Sequence, residues 1–202
     1  MIKINMSNTF ITSDLHLNHK KILQFSPKRK EILNCETLEE MNESLIKHWN
    51  EAVKPEDTIY HLGDFSFGST SKTHEILERL NGNKIFILGN HDRREFFISK
   101  KPTFYLEEEG YSEGRELYGE IHQYLEIKYN NFDIILFHFP IVAWNKMEQG
   151  SLHFFGHCHG SYNPDFNKSL DCGFDNHFKI LKMEEAIEIA DSKPLYKRSY
   201  HR

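Results

Sequence analysis

Apolar positions recur in two rhythms along this chain, and each rhythm predicts a different element. The run FITS, Phe10 to Ser13, reads as the close of a first strand, with a polar loop after it. Thr37 precedes Glu40 at capping-box spacing. Leu38, Met41, Leu45, Ile46 and Trp49 then recur at the helical period until the chain nears Pro55. TIYHL, Thr58 to Leu62, is a second strand. Ser71 to Leu80 is a helix stopped by Asn81-Gly82, and KIFIL, Lys84 to Leu88, is a third strand. Strands alternating with helices predict an α/β layer. The second half is richer in strands. Glu120 to Tyr129 alternates, Asn130-Asn131 turns, and Phe132 to Phe137 returns as the second arm of a hairpin. Leu152 to Phe155 and Ser169 to Phe174 are further strands, and Met183 to Ala190 is a final helix. A second sheet packed on the first is expected. With no repeat, low-complexity tract or linker, residues 1–202 are expected to form one domain.

Composition narrows the picture. Hydrophobic residues make up 39% and charged residues 27%, an ordinary globular balance. The three cysteines, Cys35, Cys158 and Cys172, argue for a reducing compartment rather than a disulfide framework. The start, MIKINMSNTF, lacks the pattern of a secretory leader. The most apolar stretch, Phe132 to Trp144, is interrupted by Asp133, His138 and Pro140 and is too short and polar to span a bilayer. A cytoplasmic protein without a membrane partner is expected. The net charge of −5 disfavours generic nucleic-acid binding. The small basic groups Lys20-Lys21 and Lys28-Arg29-Lys30 read as solvated surface. Oligomeric state is left open.

Thirteen histidines direct attention to metal chemistry. Five segments each set a metal-capable side chain just beyond an apolar strand: Asp14-Leu15-His16, Gly63-Asp64, Gly89-Asn90-His91-Asp92, His138, and Gly156-His157-Cys158-His159. In α/β sheets, ligands collect at the carboxyl ends of strands. Asp14 and His16 are two apart, as are His157 and His159, so on extended backbone each pair faces one side. The glycines before Asp64, Asn90 and His157 permit sharp turns or close approach. Carboxylate, imidazole and amide oxygen form a mixed N/O set suited to Mn, Fe, Co, Ni or Zn. Taken singly, Asp-x-His is a common accident, Gly-Asp a turn and His138 an edge histidine. All five in one order, each behind a strand, point to one site.

Together, D-x-H, G-D, G-N-H-D, a later lone histidine and G-H-x-H resemble the calcineurin-like metallophosphoesterase superfamily. The motifs run from Asp14 to His159. The local texts SDLHLNHKKI, HLGDFSFG, ILGNHD and FHFP resemble a small bacterial or phage branch of it. The resemblance implies a four-layer αββα sandwich of two mixed sheets flanked by helices, and two divalent cations, manganese first among the candidates. It implies that Asp14, His16 and His159 hold one ion, that Asn90, His138 and His157 hold the other, and that Asp64 bridges them. It implies that His91 sits over the scissile phosphate and that Asp92 orients His91. One departure stands out. The protein-phosphatase branch carries G-D-x-V-D-R-G, whereas Gly63-Asp64-Phe65-Ser66-Phe67-Gly68 has no arginine. Protein dephosphorylation by that route is not expected.

Two divalent ions about 4 Å apart bring a shared water near neutrality, so the expected nucleophile is a bridging hydroxide. His91 would stabilise charge or protonate the leaving oxygen. Two carboxylates against two divalent ions leave the site net positive by about two charges, which draws phosphate to an acidic chain. The expected reaction is hydrolysis of a phosphodiester of a small molecule or nucleotide. Phosphomonoester hydrolysis at the same site and a non-catalytic metal-binding scaffold are the alternatives. Asn90, His91, His19 and Arg93 are the candidate substrate contacts, with Asn18 beside them. Phe65, Phe67 and Trp144 are candidates to stack a base, core packing being the commoner use of such residues. His61 is expected to pack or to support a ligand, Cys158 to point away from the metals, and Cys172 and Asp175 to be structural.

Overall fold

The computed structural model describes residues 8–107 and 110–196. The reading of the N-terminus as leader-free falls partly outside these residues. In chain order the elements are β1 (Thr9–Thr12), α1 (Ile22–Phe25), α2 (Lys28–Leu33), α3 (Leu38–Ala52), β2 (Thr58–His61), α4 (Thr70–Leu77), β3 (Asn83–Ile87), β4 (Ile98–Glu107), β5 (Gly110–Leu117), β6 (Glu120–His122), β7 (Tyr124–Tyr129), β8 (Phe132–Phe137), β9 (Leu152–Phe155), β10 (Ser169–Asp171), α5 (Phe174–His177), β11 (Leu181–Lys182) and α6 (Met183–Asp191). They form two mixed sheets flanked by helices, the expected architecture. One sheet runs β11-β1-β2-β3-β6 and the other β10-β9-β8-β7; β4 and β5 make a separate hairpin that the sequence pattern did not reveal. β1, β2, β3 and β6 are parallel, and so are β8, β9 and β10.

The first sheet buries both faces. Phe10, Ile59 and Phe86 pack on one side with Met41, Leu45 and Trp49 of α3 and Ile76 and Leu77 of α4. Ile11, Leu62 and Ile87 face the other way, onto Ile134, Leu136, Leu152, Phe154 and Leu170 of the second sheet. Met183, Ala186, Ile187 and Ala190 of α6 close this second core. Helix α3 begins where expected: Glu40 N–H donates to Thr37 Oγ1 at 3.2 Å, and Thr37 N–H donates to Glu40 Oε2 at 3.0 Å.

Two strands depart from expectation. The alternating run Glu120 to Tyr129 is two strands in different sheets. β6 pairs with β3, and after Gln123 β7 pairs with β8. Alternation reports that one face is buried but not against which sheet, so a bend between sheets leaves no mark on it. The run Ser169 to Phe174 stops at Asp171. The Asp171 carboxylate accepts the Gly173 N–H at 2.8 Å, turning the chain into the short α5.

On the outer face of the second sheet, His153 is fully buried beneath Trp144, with ring centroids 5.2 Å apart. Its Nδ1 lies 3.3 Å from the Ile135 carbonyl, and the Ile141 N–H donates to its Nε2 at 3.4 Å, an arrangement with room for one ring proton. Burial pushes its pKa down to about 4. The unfolded chain therefore takes up this proton below pH of about 6.5, while the folded chain resists it to about pH 4. The contribution is fully present above the unfolded value and is lost as pH falls, amounting to about 3 kcal/mol. Urea unfolding in chelator from pH 7.5 to 4.5 should show this loss, and His153→Gln should flatten it. An unchanged slope in that variant would exclude His153 as its source.

Candidate metal centre

Both sheets present the carboxyl ends of their parallel strands to one edge, and there the ladders run on beyond the strands. Asp14 N–H donates to Gly63 O at 3.0 Å, His16 N–H to Asp64 O at 3.1 Å, and Gly156 N–H to His138 O at 2.9 Å. The side chains so aligned form two groups that can hold a cation: Asp14, His16 and His159, and Asp64, His138 and His157. Asn90 joins the second group, its Oδ1 3.0 Å from His138 Nε2. Asp64 Oδ2 lies between the groups, 3.8 Å from His16 Nε2 and 3.6 Å from His138 Nε2.

The backbone here is not extended. Asp14, His16, Asp64, His157 and His159 all have left-handed φ, between 49° and 67°. The spacing argument for D-x-H and H-x-H assumed extended chain, which these residues do not adopt, and His157 and His159 fall in different groups. Each pair reaches the centre through left-handed residues, a conformation that costs of order 1 kcal/mol per residue and that Asp and His tolerate better than most. Two glycines make the approach possible. A Cβ at Gly89 would collide with the Asp64 carboxylate, and one at Gly156 with Ser13 Oγ and the Asp14 carboxylate.

The polar contacts leave selected lone pairs free. Asp14 is wholly buried; its Oδ2 accepts the His157 N–H at 2.9 Å, while its Oδ1 has no partner. Asp64 Oδ1 accepts the His91 N–H at 2.9 Å, leaving Oδ2 to the site. His138 Nδ1 is 2.7 Å from the Leu62 carbonyl, which only accepts, so the ring proton sits there and Nε2 offers a lone pair. His159 Nδ1 is 2.6 Å from Asp175 Oδ2, which likewise turns Nε2 inward. His16 Nε2 then faces His159 Nε2 at 3.1 Å. Where His138 Nε2 meets Asn90 Oδ1, acceptor faces acceptor with no proton between them, and this nitrogen and oxygen donor set fits divalent cations.

Burial lowers the pKa of His16 and of His157, which favours the neutral, ligating form. His159 is raised, chiefly by its bond to Asp175. Burial opposes ionisation of Asp175, but hydrogen bonds from His159, Arg29 and Ser26 outweigh it and hold the carboxyl well below the usual range.

A cavity of about 670 Å³ opens over the centre, lined by His16, His19, Phe67, His91, His157 and His159 among others. His91 has 46% of its side chain exposed, with Nε2 4.0 Å from Asp64 Oδ2. Phe67 stacks on His19 at 4.1 Å and lies 4.4 Å from His91. Phe65 and Trp144 are structural instead. Phe65 is core, and the Trp144 indole donates to Ser151 O. His61 is buried against Trp49 and accepts the Gly63 N–H at 3.3 Å, behind the ligands. Cys158 contributes to the cavity wall, and burial pushes its thiol up to about 11.

Three expectations need correction. Asp92 does not engage the His91 ring: its carboxylate accepts main-chain N–H groups of Asp64, Phe65 and Gly89 at 2.7–2.9 Å, clamping two ligand loops. Arg93 lies outside the cavity lining, its guanidinium over the Phe96 ring at 4.6 Å. Arg29, read as solvated, is wholly buried and bonded to Asp175, a residue read as merely structural. Asp175 comes after a strand and Gly173, as three of the five segments come after a strand and a glycine, and that signal was there to use. Arg29 gave only a weak one, standing four residues before Leu33 on the buried side of α2.

The chain is 29% identical over 194 residues to an uncharacterized protein of Methanocaldococcus jannaschii, covering 95% of this chain and 88% of that one. It is 31% identical over 211 residues to the gene 66 protein of Mycobacterium phage L5, covering 92% and 95%. A protein of unknown function from Aquifex aeolicus shares the fold, with a TM-score of 0.60, 22% identity and coverage of 91% of this chain and 99% of that one. A family model for calcineurin-like phosphoesterases matches residues 8–200, so the chain belongs to that family.

Proposed function

We propose that this protein is a phosphodiesterase that uses two divalent cations to hydrolyse a phosphoester of a small molecule or nucleotide. Family membership supports phosphoester hydrolysis. The observation that supports two cations is the pair of ligand groups meeting at Asp64 Oδ2, with Nε2 of His138 and of His159 turned inward. Asp14, His16 and His159 would hold one cation, Asn90, His138 and His157 the other, and Asp64 both. Manganese heads the candidates, with Fe, Ni, Co and Zn fitting the same donors. The cations would supply Lewis-acid charge and activate water.

This chain's residues supply the rest. His91 reaches into the cavity beside Asp64, where its imidazole would meet the phosphoryl group and protonate the departing oxygen. That help matters most for a poor alkoxide leaving group, which favours a diester. Asp92 would serve His91 through the backbone, by fixing Gly89 and the Asp64–Phe65 segment. His19 and Phe67 would face the organic part of the substrate, for which a cavity of about 670 Å³ leaves room beyond a phosphate.

His91→Ala should retain two bound cations and lose roughly 10²- to 10⁴-fold in kcat; metal analysis beside a diester assay reads both, and full activity would overturn the role. Asp64→Asn should break up the cation pair, and two tightly held ions with normal turnover would exclude a bridge. Bis-para-nitrophenyl phosphate should be cleaved faster than its monoester in parallel assays with Mn, Ni, Zn and Mg. The reverse preference would assign a phosphomonoesterase, and inactivity on every ester with both ions bound would favour a scaffold.

A further inference from the structure

We propose that Arg29, acting through Asp175 and through the Asp14–Leu15 main chain, is the positioning residue for one half of the metal centre and not for the other. The inference rests on the two-cation reading above. Arg29 lies on α2, wholly buried, and four of its five guanidinium N–H donors meet acceptors. Nη1 donates to Leu15 O at 2.6 Å and Nη2 to Asp14 O at 2.6 Å. Nε donates to Asp175 Oδ1 at 2.7 Å and Nη2 to Asp175 Oδ2 at 2.8 Å. Asp175 in turn accepts Ser26 Oγ–H at 2.6 Å and the Nδ1–H of His159 at 2.6 Å. One planar cation therefore fixes the main chain that presents Asp14 and His16, and sets the ring of His159 by way of a carboxylate.

A buried arginine is costly to retain unless its geometry is saturated. Here the two carbonyls belong to a segment with left-handed φ at Asp14 and His16, whose N–H groups are held by Gly63 O and Asp64 O while the guanidinium takes its carbonyls. The guanidinium fork matches two carbonyls and a carboxylate at once, a pattern that lysine's single ammonium does not reproduce. The other half is anchored differently. His138 is held by the Leu62 carbonyl, Asp64 by the His91 amide, and the Asn90 loop by Asp92. Among the described residues, none of these contacts involves Arg29 or Asp175. The ionic network from the α2 side thus reaches one half directly, and its links to the other are the bonds from His157 N–H to Asp14 and from His16 N–H to Asp64 O.

The test is manganese titration of chelator-stripped protein, by calorimetry and by the EPR signal of free Mn²⁺. Wild type should show two sites. Arg29→Met and Asp175→Asn should each keep one site at wild-type affinity and weaken the other by about 10- to 100-fold. Thermal unfolding in chelator establishes that each variant is folded, and Asp175→Asn carries the test should Arg29→Met not fold. A merely structural role would weaken both sites together or neither, and either result overturns the proposal. Wild type binding fewer than two ions would overturn the two-cation reading itself, and this inference with it.

Discussion

Two carboxylates buried where the sheets meet govern this molecule. Asp14 and Asp64 are almost without solvent contact, and a buried carboxylate must be supplied with donors or counter-charge. Each divides its oxygens. One takes a main-chain amide from a distant ligand loop, His157 for Asp14 and His91 for Asp64. The other is left facing the centre. The Asp14–His157 bond ties the two sheets at their working edge and the Asp64–His91 bond ties neighbouring loops of the first sheet, so the site is built into the sandwich rather than attached to it.

This arrangement demands close backbone approach, which explains residues that carry no chemistry. Gly89 and Gly156 lie against the two carboxylates with no space for a Cβ. Leu62 contributes only its carbonyl, yet that oxygen decides which nitrogen of His138 is available. His61, directly before it, fills the space behind the ligand loops, and burial pushes its pKa down to about 3, so it adds no positive charge there.

Much of this was legible in the sequence. The capping box at Thr37, the strands around Ile59 and Phe86, and the clustering of metal-capable residues past strand ends follow from local periodicity and turn chemistry. What local pattern does not carry is which buried surface an element faces, or which partner a charge finds. β6 and β7 read as one strand because alternation is blind to a change of sheet at Gln123. Arg29 and Asp175 lie 146 residues apart, and nothing within the basic run Lys28-Arg29-Lys30 says that the middle residue turns inward. The left-handed backbone at the ligand pairs was equally hidden, because the expected convergence follows from extended chain as well.

That left-handed backbone restricts what these loops can become. Asp, Asn and His, besides glycine, are the residues that enter this conformation most readily, and they are also oxygen and nitrogen donors. At Asp14, His16, Asp64, His157 and His159 the backbone therefore screens the alphabet before any metal does, rejecting β-branched side chains on steric grounds. Glycine apart, the side chains this backbone tolerates best are ones that still coordinate. The geometry of the turn and the chemistry of the centre thus filter for the same short set of side chains, and the fold itself protects the ligand set during sequence divergence.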